Sequence, residues 1–266
     1  MADYQIEELL AVQVSRELKD GELGFIGLGT GGRAFAFAVG VPSVAAALAH
    51  RRGVDFIAQY GVALEPDIEH APRCFEDRNL LAWPASAQIP VEMALDGFKR
   101  GKMNIGFLSG AQIDVYGNLN SVAIGDYDKP DIRLVGAIAL PDHAANAERT
   151  IIILPHSRRT FVERVDHRSA FGYGDGSGHR ERLGLIGGGP GKVFTDLAVL
   201  DFEDDSKRMR VVSVHPGVTK EKVNEETGFE LVWPDGVPET PAPTAEELAA
   251  IREIDPDGAL LNARIF

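Results

Sequence analysis

The segment TIIILP, residues 150–155, is apolar at every position from Ile151 to Leu154. A strand with one wetted face alternates apolar and polar side chains, so a run without alternation belongs to a sheet covered on both faces. Short runs of this type recur at 23–28 (LGFIGL), 54–60, 102–110 and 132–136, and helical patterns lie between them at 3–18, 42–52, 90–100 and 141–147. The alternation predicts an α/β fold with an open, mostly parallel sheet flanked by helices. Towards the carboxyl end, strands expected at 192–202 and 209–216 have no full helix between them, which predicts a mixed or antiparallel portion there. Helices are expected at 219–225 and 244–254. Thr244 and Glu247 have capping-box spacing and follow a proline-rich connection, 233–243. The glycine-rich stretch 172–191 reads as a mobile loop. No composition shift marks a boundary, so residues 1–266 are expected to form one domain.

The formal net charge of −13 and the pI near 5.0 repel nucleic acid, and the basic clusters are short. Neither a membrane-crossing run nor the basic start of a signal peptide is evident. The one cysteine, Cys74, rules out an internal disulfide and fits a cytoplasmic location.

GLGTGG, residues 27–32, matches the spacing of a dinucleotide-binding loop after a strand. The next helix is expected to begin near Pro42, too late for its amino end to meet a pyrophosphate, and Asp55 falls at the start of the following strand rather than at its end. The loop Gly29-Thr30-Gly31 remains a candidate lining for a ligand crevice. No G-x-S-x-G elbow offers a serine nucleophile, and no H-E-x-x-H or paired Cys/His spacing offers a zinc site. Among the histidines, His143, after Pro141-Asp142 at an expected strand end, is the candidate for proton transfer. SGAQIDVYGNLNS, residues 109–121, is the most distinctive stretch; its dense polar groups, Gln112 and Asn118 among them, order the loop or contact a ligand.

GAQIDVYGNLN (110–120) resembles the signature of the β subunits of class I coenzyme A transferases, the glutaconate CoA-transferase type. Ordered matches continue through 149–166, 184–202 and 207–231, and the resemblance spans about residues 5–256. It implies an open α/β domain of the CoA-transferase type, an acyl-CoA thioester as substrate, no permanently bound cofactor beyond the coenzyme A of that substrate, and a homologous α subunit in a heterodimer or heterotetramer. It further implies a glutamate nucleophile in an E-S-G or E-x-G turn. At the matching position this chain has Gln59-Tyr60-Gly61. An amide is neutral, with its nitrogen lone pair delocalised, so Gln59 cannot form an acyl anhydride; it can donate and accept hydrogen bonds. A second departure is GAIALPDHAAN (136–146), where the resemblance implies a glycine-rich loop and this chain has Pro141, Asp142 and His143. The expectation is therefore a subunit that hydrolyses or decarboxylates a dicarboxylic or cyclic oxo acyl-CoA, with Gln59 and His143 in catalytic roles. Gly29, Thr30, Gly31, Tyr60, Gly61, Gln112, Asn118 and Asp142 are expected at the substrate. Two alternatives stay open: a true transferase, with Gln59 a replacement of its glutamate, and a non-catalytic scaffolding chain.

Overall fold

A computed structural model describes residues 3–27, 32–70 and 81–262. The elements gather into two compact units, Met1–Phe107 with Ala242–Phe266, and Leu108–Pro241.

The first unit opens with helix α1 (Ile6–Ser15), whose Leu9, Leu10 and Val14 are buried as its sequence pattern requires. Strand β1 (Leu23–Ile26) follows. The next helix starts earlier than Pro42: α2 (Arg33–Phe35) continues through a wide turn, Ala36–Gly40, into α3 (Val41–Arg51). The reason lies in that turn. The Val41 N–H reaches back five residues to the Ala36 carbonyl, and the wider winding relieves the clash a proline ring makes in a regular helix. The run Arg33–Arg51 is also long and apolar enough to cross a membrane by length and composition, contrary to the expectation from sequence, but 72% of its apolar window is buried inside the fold. A core helix meets the same criteria as a membrane span.

Strand β2 (Ile57–Tyr60) pairs parallel with β1. It is followed by β3 (Ala63–Pro66), β4 (Ala85–Gln88), α4 (Val91–Lys99) and β5 (Ile105–Leu108). The strand order is β5-β1-β2-β3-β4. β5 and β2 flank β1 in parallel, and β3 and β4 extend the set antiparallel.

The second unit carries two short hairpins, β6 (Gln112–Ile113) with β7 (Leu119–Asn120), and β8 (Ala123–Gly125) with β9 (Pro130–Arg133). Helix α5 (Leu140–Asn146) leads into β10 (Arg149–Ile153), and a four-residue helix α6 (His179–Arg182) interrupts the glycine-rich stretch. The strand expected over 192–202 is two strands: β11 (Pro190–Phe194) turns at Thr195 and returns antiparallel as β12 (Ala198–Phe202). The Thr195 hydroxyl accepts the Leu197 and Ala198 amides and so closes the turn. Threonine read as a β-former hid that turn from the sequence pattern. β13 (Met209–Val214) completes the order β10-β11-β12-β13, parallel in its first pair and antiparallel thereafter. Helix α7 (Lys220–Glu225) is capped by Thr219. Helix α8 (Ala245–Ile254) belongs to the first unit and starts with the expected box: the Glu247 N–H donates to Thr244 Oγ1 at 3.1 Å, and the Thr244 N–H donates to Glu247 Oε2 at 2.8 Å. The α/β class with parallel inner strands and helical cover holds.

Candidate functional site

In the first unit, β2 delivers Gln59 to its carboxyl end. Parallel pairing sets Gln59 opposite Phe25, and antiparallel pairing sets it opposite Leu64. The side chain is 1% exposed. Gly61 then takes φ +52°, a left-handed conformation that suits glycine. The tight turn from β2 into β3 brings the Gly61 carbonyl to 3.0 Å from Gln59 Nε2. A carbonyl only accepts, so the amide's orientation is fixed: its NH2 faces Gly61 and Oε1 faces away.

Tyr60 is buried, and its phenol is hydrogen-bonded to Ser43, whose own hydroxyl donates to the Val39 carbonyl at 2.7 Å. Burial raises the Tyr60 pKa well above the ordinary phenol value; the Ser43 hydrogen bond opposes the rise. Its ring meets Trp83 edge-on at 5.2 Å between centroids. Phe35, Phe37 and Trp83 are likewise core. Glu65, the first acid after the position of the missing nucleophile, is held: its carboxylate accepts the Ala58 N–H and lies 3.7 Å from His50 Nε2. Gly29, Thr30, Gly31 and Cys74 lie outside the described residues.

In the second unit the distinctive stretch builds a turn. Asn118 is fully buried. Its Nδ2 donates to both Asp114 oxygens, at 2.9 and 2.8 Å, and to the Gly174 carbonyl at 2.7 Å. Its Oδ1 accepts the Gly172 and Gly174 amides at 3.0 and 3.2 Å. Asp114 also accepts the Tyr116 and Asn118 amides. Burial pushes the Asp114 pKa up, while these donors pull against it. Gln112 Oε1 accepts from Asn120 Nδ2 at 2.8 Å and from the Asp166 N–H at 3.0 Å. These side chains order the chain around them.

The stretch expected to be a mobile loop is pinned, because Asn118 holds Gly172 and Gly174 and because Arg180 is buried. The Arg180 guanidinium donates to the carbonyls of Phe171, Gly172, Ala144, Ala145 and Gly187. Burial lowers its pKa. Arg180 thus ties the segment that Asn118 holds to the last turn of α5, whose partial negative charge favours a cation. The sequence does not distinguish this arginine from Arg182 two residues on.

Helix α5 occupies the place where the resemblance implies an amide-lined loop. Its His143 N–H already bonds the Ala139 carbonyl. The His143 ring is buried, which drives its pKa down to about 3, so it is neutral near pH 7. Asp142 is half-buried at the first turn. Ile138, just before the helix, takes φ +28° and is 94% exposed. Among the described residues, no group of three or more His, Cys, Asp or Glu side chains converges as a metal site would. A groove of about 540 Å³ between the start of α1 and the end of α8, lined by Asp3, Glu8, Arg252 and Asp255, shares no residue with any of these positions.

Residues 87–226 match the model of the coenzyme A transferase family. A 3-oxoadipate CoA-transferase chain of Pseudomonas knackmussii is 37% identical over 96% of this chain and 95% of its own. The chain belongs to the coenzyme A transferase family. The glutaconate coenzyme A-transferase structure from Acidaminococcus fermentans superposes with a TM-score of 0.83 at 32% identity, covering 98% of each chain. A relative with a different activity is also similar: the IpdB subunit of the cholesterol ring-cleaving hydrolase of Mycobacterium bovis is 35% identical over 54% of this chain and 58% of its own. The family therefore includes both CoA-transferase and ring-cleaving hydrolase subunits, and membership alone does not choose between the two chemistries.

Proposed function

We propose that this CoA-transferase-family chain is the β subunit of a cytoplasmic two-subunit enzyme acting on an acyl-CoA thioester, and that it breaks a carbon–carbon bond by hydrolysis or decarboxylation instead of moving coenzyme A through a covalent enzyme intermediate. The observation that carries this reading is Gln59, a buried amide at the end of β2 held by the Gly61 carbonyl. Covalent transfer needs a charged carboxylate that attacks the thioester. Gln59 is uncharged, and its nitrogen lone pair is delocalised into the carbonyl. Glu65, the first acid after residue 59, does not replace it: its carboxylate is engaged by the Ala58 amide.

The chemistry left to such a site is binding, polarisation and proton movement. The thioester carbonyl serves as an electron sink for the pair released when a bond to the neighbouring carbon breaks. A neutral His143 with a pKa near 3 is a poor base and a poor acid near pH 7, so the proton-transfer group is assigned to a carboxylate of the homologous α subunit. The backbone turn at Gly61 orients the acyl portion.

A second reading, a true CoA transferase, is favoured by the 37% identity to a 3-oxoadipate transferase chain. The two separate on product analysis. The complex of both subunits is supplied with 3-oxoadipyl-CoA and excess acetate, and the acids, coenzyme A esters and carbon dioxide are quantified. The proposal expects carbon–carbon cleavage or carbon dioxide without matching transfer. Formation of acetyl-CoA and free 3-oxoadipate in equal amounts, with no cleavage product, contradicts it.

A further inference from the structure

The β8–β9 ribbon of the second unit is held rigid and yet left uncovered. Both backbone groups of Gly125 are bonded by consecutive side chains: its N–H donates to Asp166 Oδ2 at 2.9 Å, and its carbonyl accepts from His167 Nε2 at 2.8 Å. Asp126 Oδ1 accepts the Asp128 and Lys129 amides and fixes the turn. The Tyr127 ring lies edge-on to His167, 5.6 Å between centroids, and the Arg133 guanidinium sits 5.3 Å from its centroid. Arg133 Nη2 also donates to the Tyr127 carbonyl at 3.1 Å. Despite this order, Tyr127, Ile132, Val135 and Ile138 are 55–94% exposed. The Leu134 N–H donates to the Val122 carbonyl, so the chain stays paired beyond β9. An odd spacing along such chain puts Ile132 and Val135 on opposite faces. An antiparallel ribbon in water keeps one face polar; this one exposes apolar groups on both, which fits a cleft in a partner rather than a flat surface. Ile138 adds φ +28° on a β-branched side chain, and no burial within this chain offsets that strain.

We infer that the β8–β9 ribbon is the arm by which this chain engages its homologous α subunit, seated in an apolar cleft of that subunit with a basic rim. The inference rests on the two-subunit assembly proposed above. Size supports it. At about 200 Å² for a free large side chain, the four exposed groups present on the order of 500 Å². A stable interface takes about 800 Å² from each partner, roughly 60% of it apolar. The four side chains thus supply the apolar core of one interface of ordinary size, and the charged turn supplies its rim. Charge selects the partner. Residues 126–131 carry Asp126, Asp128 and Asp131 against Lys129, on a chain of net charge −13. Two copies meeting at this face about a twofold axis would set one acidic turn against the other. A different chain is free to place cations opposite. Tyr127 is suited to anchor the contact: tyrosine recurs at the energetic centres of interfaces, and a ring already fixed by His167 and Arg133 loses little freedom on binding.

The test uses the two-subunit complex. Tyr127 is replaced by the photo-crosslinker p-benzoylphenylalanine, the intact complex is irradiated, and the crosslinked peptides are mapped by mass spectrometry; the partner peptide should belong to the α subunit. Separately, the full chain carrying Tyr127→Ala or Val135→Asp is titrated against the α subunit. Each variant should raise Kd about 30-fold, the size of an interface hot spot, with the urea midpoint of the chain unchanged because both side chains are exposed. The urea measurement separates lost docking from a lost fold, and the crosslink depends on neither variant. A crosslink to a second copy of this chain, or none to the α subunit in a complex that forms, overturns the inference and leaves the two-subunit enzyme standing. An unchanged Kd in both variants does the same. A chain that forms no complex with an α subunit overturns both.

Discussion

Asn118 closes the most heavily hydrogen-bonded turn in the second unit, and removing its amide tests whether the distinctive GAQIDVYGNLN stretch is architecture. Asn118→Ala strands the Gly172 and Gly174 amides and removes two contacts to Asp114 and one to the Gly174 carbonyl, which keeps Arg168 as a donor. Each buried neutral group without a partner costs about 1–3 kcal/mol, and a water entering the vacated volume recovers part of that. The net loss expected is about 4 kcal/mol. Asp114 keeps two backbone donors, Tyr116 and Asn118 N–H, which limits the penalty on its carboxylate. The assay is urea denaturation followed by hydrogen exchange read at residues 172 and 174. The midpoint should drop, and exchange at those two amides should quicken ahead of the strands β10–β13. A loss under about 1 kcal/mol with unchanged protection at both amides would refute the assignment and make Asn118 a ligand contact instead.

Three further outcomes follow from the same geometry. His156 is buried between Thr195 and Thr227 and stacks on Phe161; burial lowers its pKa to about 4 despite Asp196 and Glu226. A folded pKa below the ordinary value near 6.5 gives stability that is present above pH 6.5 and lost as pH falls towards 4, so the urea midpoint should decline across that window and decline less in His156→Gln. Gly172→Ala places a Cβ 2.4 Å from the Tyr116 carbonyl and the Gly117 backbone; with no flexible side chain to yield, it should destabilise by about 3 kcal/mol on urea denaturation. Arg180→Lys retains the charge but not the planar fork that reaches five carbonyls, and should expose the 172–191 stretch to proteolysis that leaves the wild type intact.

The alternation of elements was legible in the sequence because apolar runs without polar interruption mark covered strands, and α3, α4, α5, α7 and α8 lie within a residue or so of their expected positions. Where the reading failed, a local signal pointed the wrong way. Pro42 reads as a helix start, yet the wide turn ending at Val41 lets the helix pass through it. Thr195 reads as a strand residue, yet its hydroxyl closes a hairpin. At the candidate site, the loss of a nucleophile was visible from residue 59 alone. The orientation of its amide was not, since that depends on φ +52° at Gly61. His143 drew notice as a titrating group because sequence shows residue type and neighbours but not burial. Arg180 drew none, because its role arises from carbonyls contributed by α5 and by segments on either side of α6.

The central claim is that residue 59 never carries a covalent intermediate. The direct measurement incubates the two-subunit complex with its acyl-CoA, quenches it in acid during turnover, and maps the peptide spanning residues 55–67 by mass spectrometry, with a borohydride-treated sample to capture any thioester as an alcohol. The account predicts that this peptide has its unmodified mass in every sample while product accumulates. A coenzyme A, acyl or alcohol mass on residue 59 would contradict it.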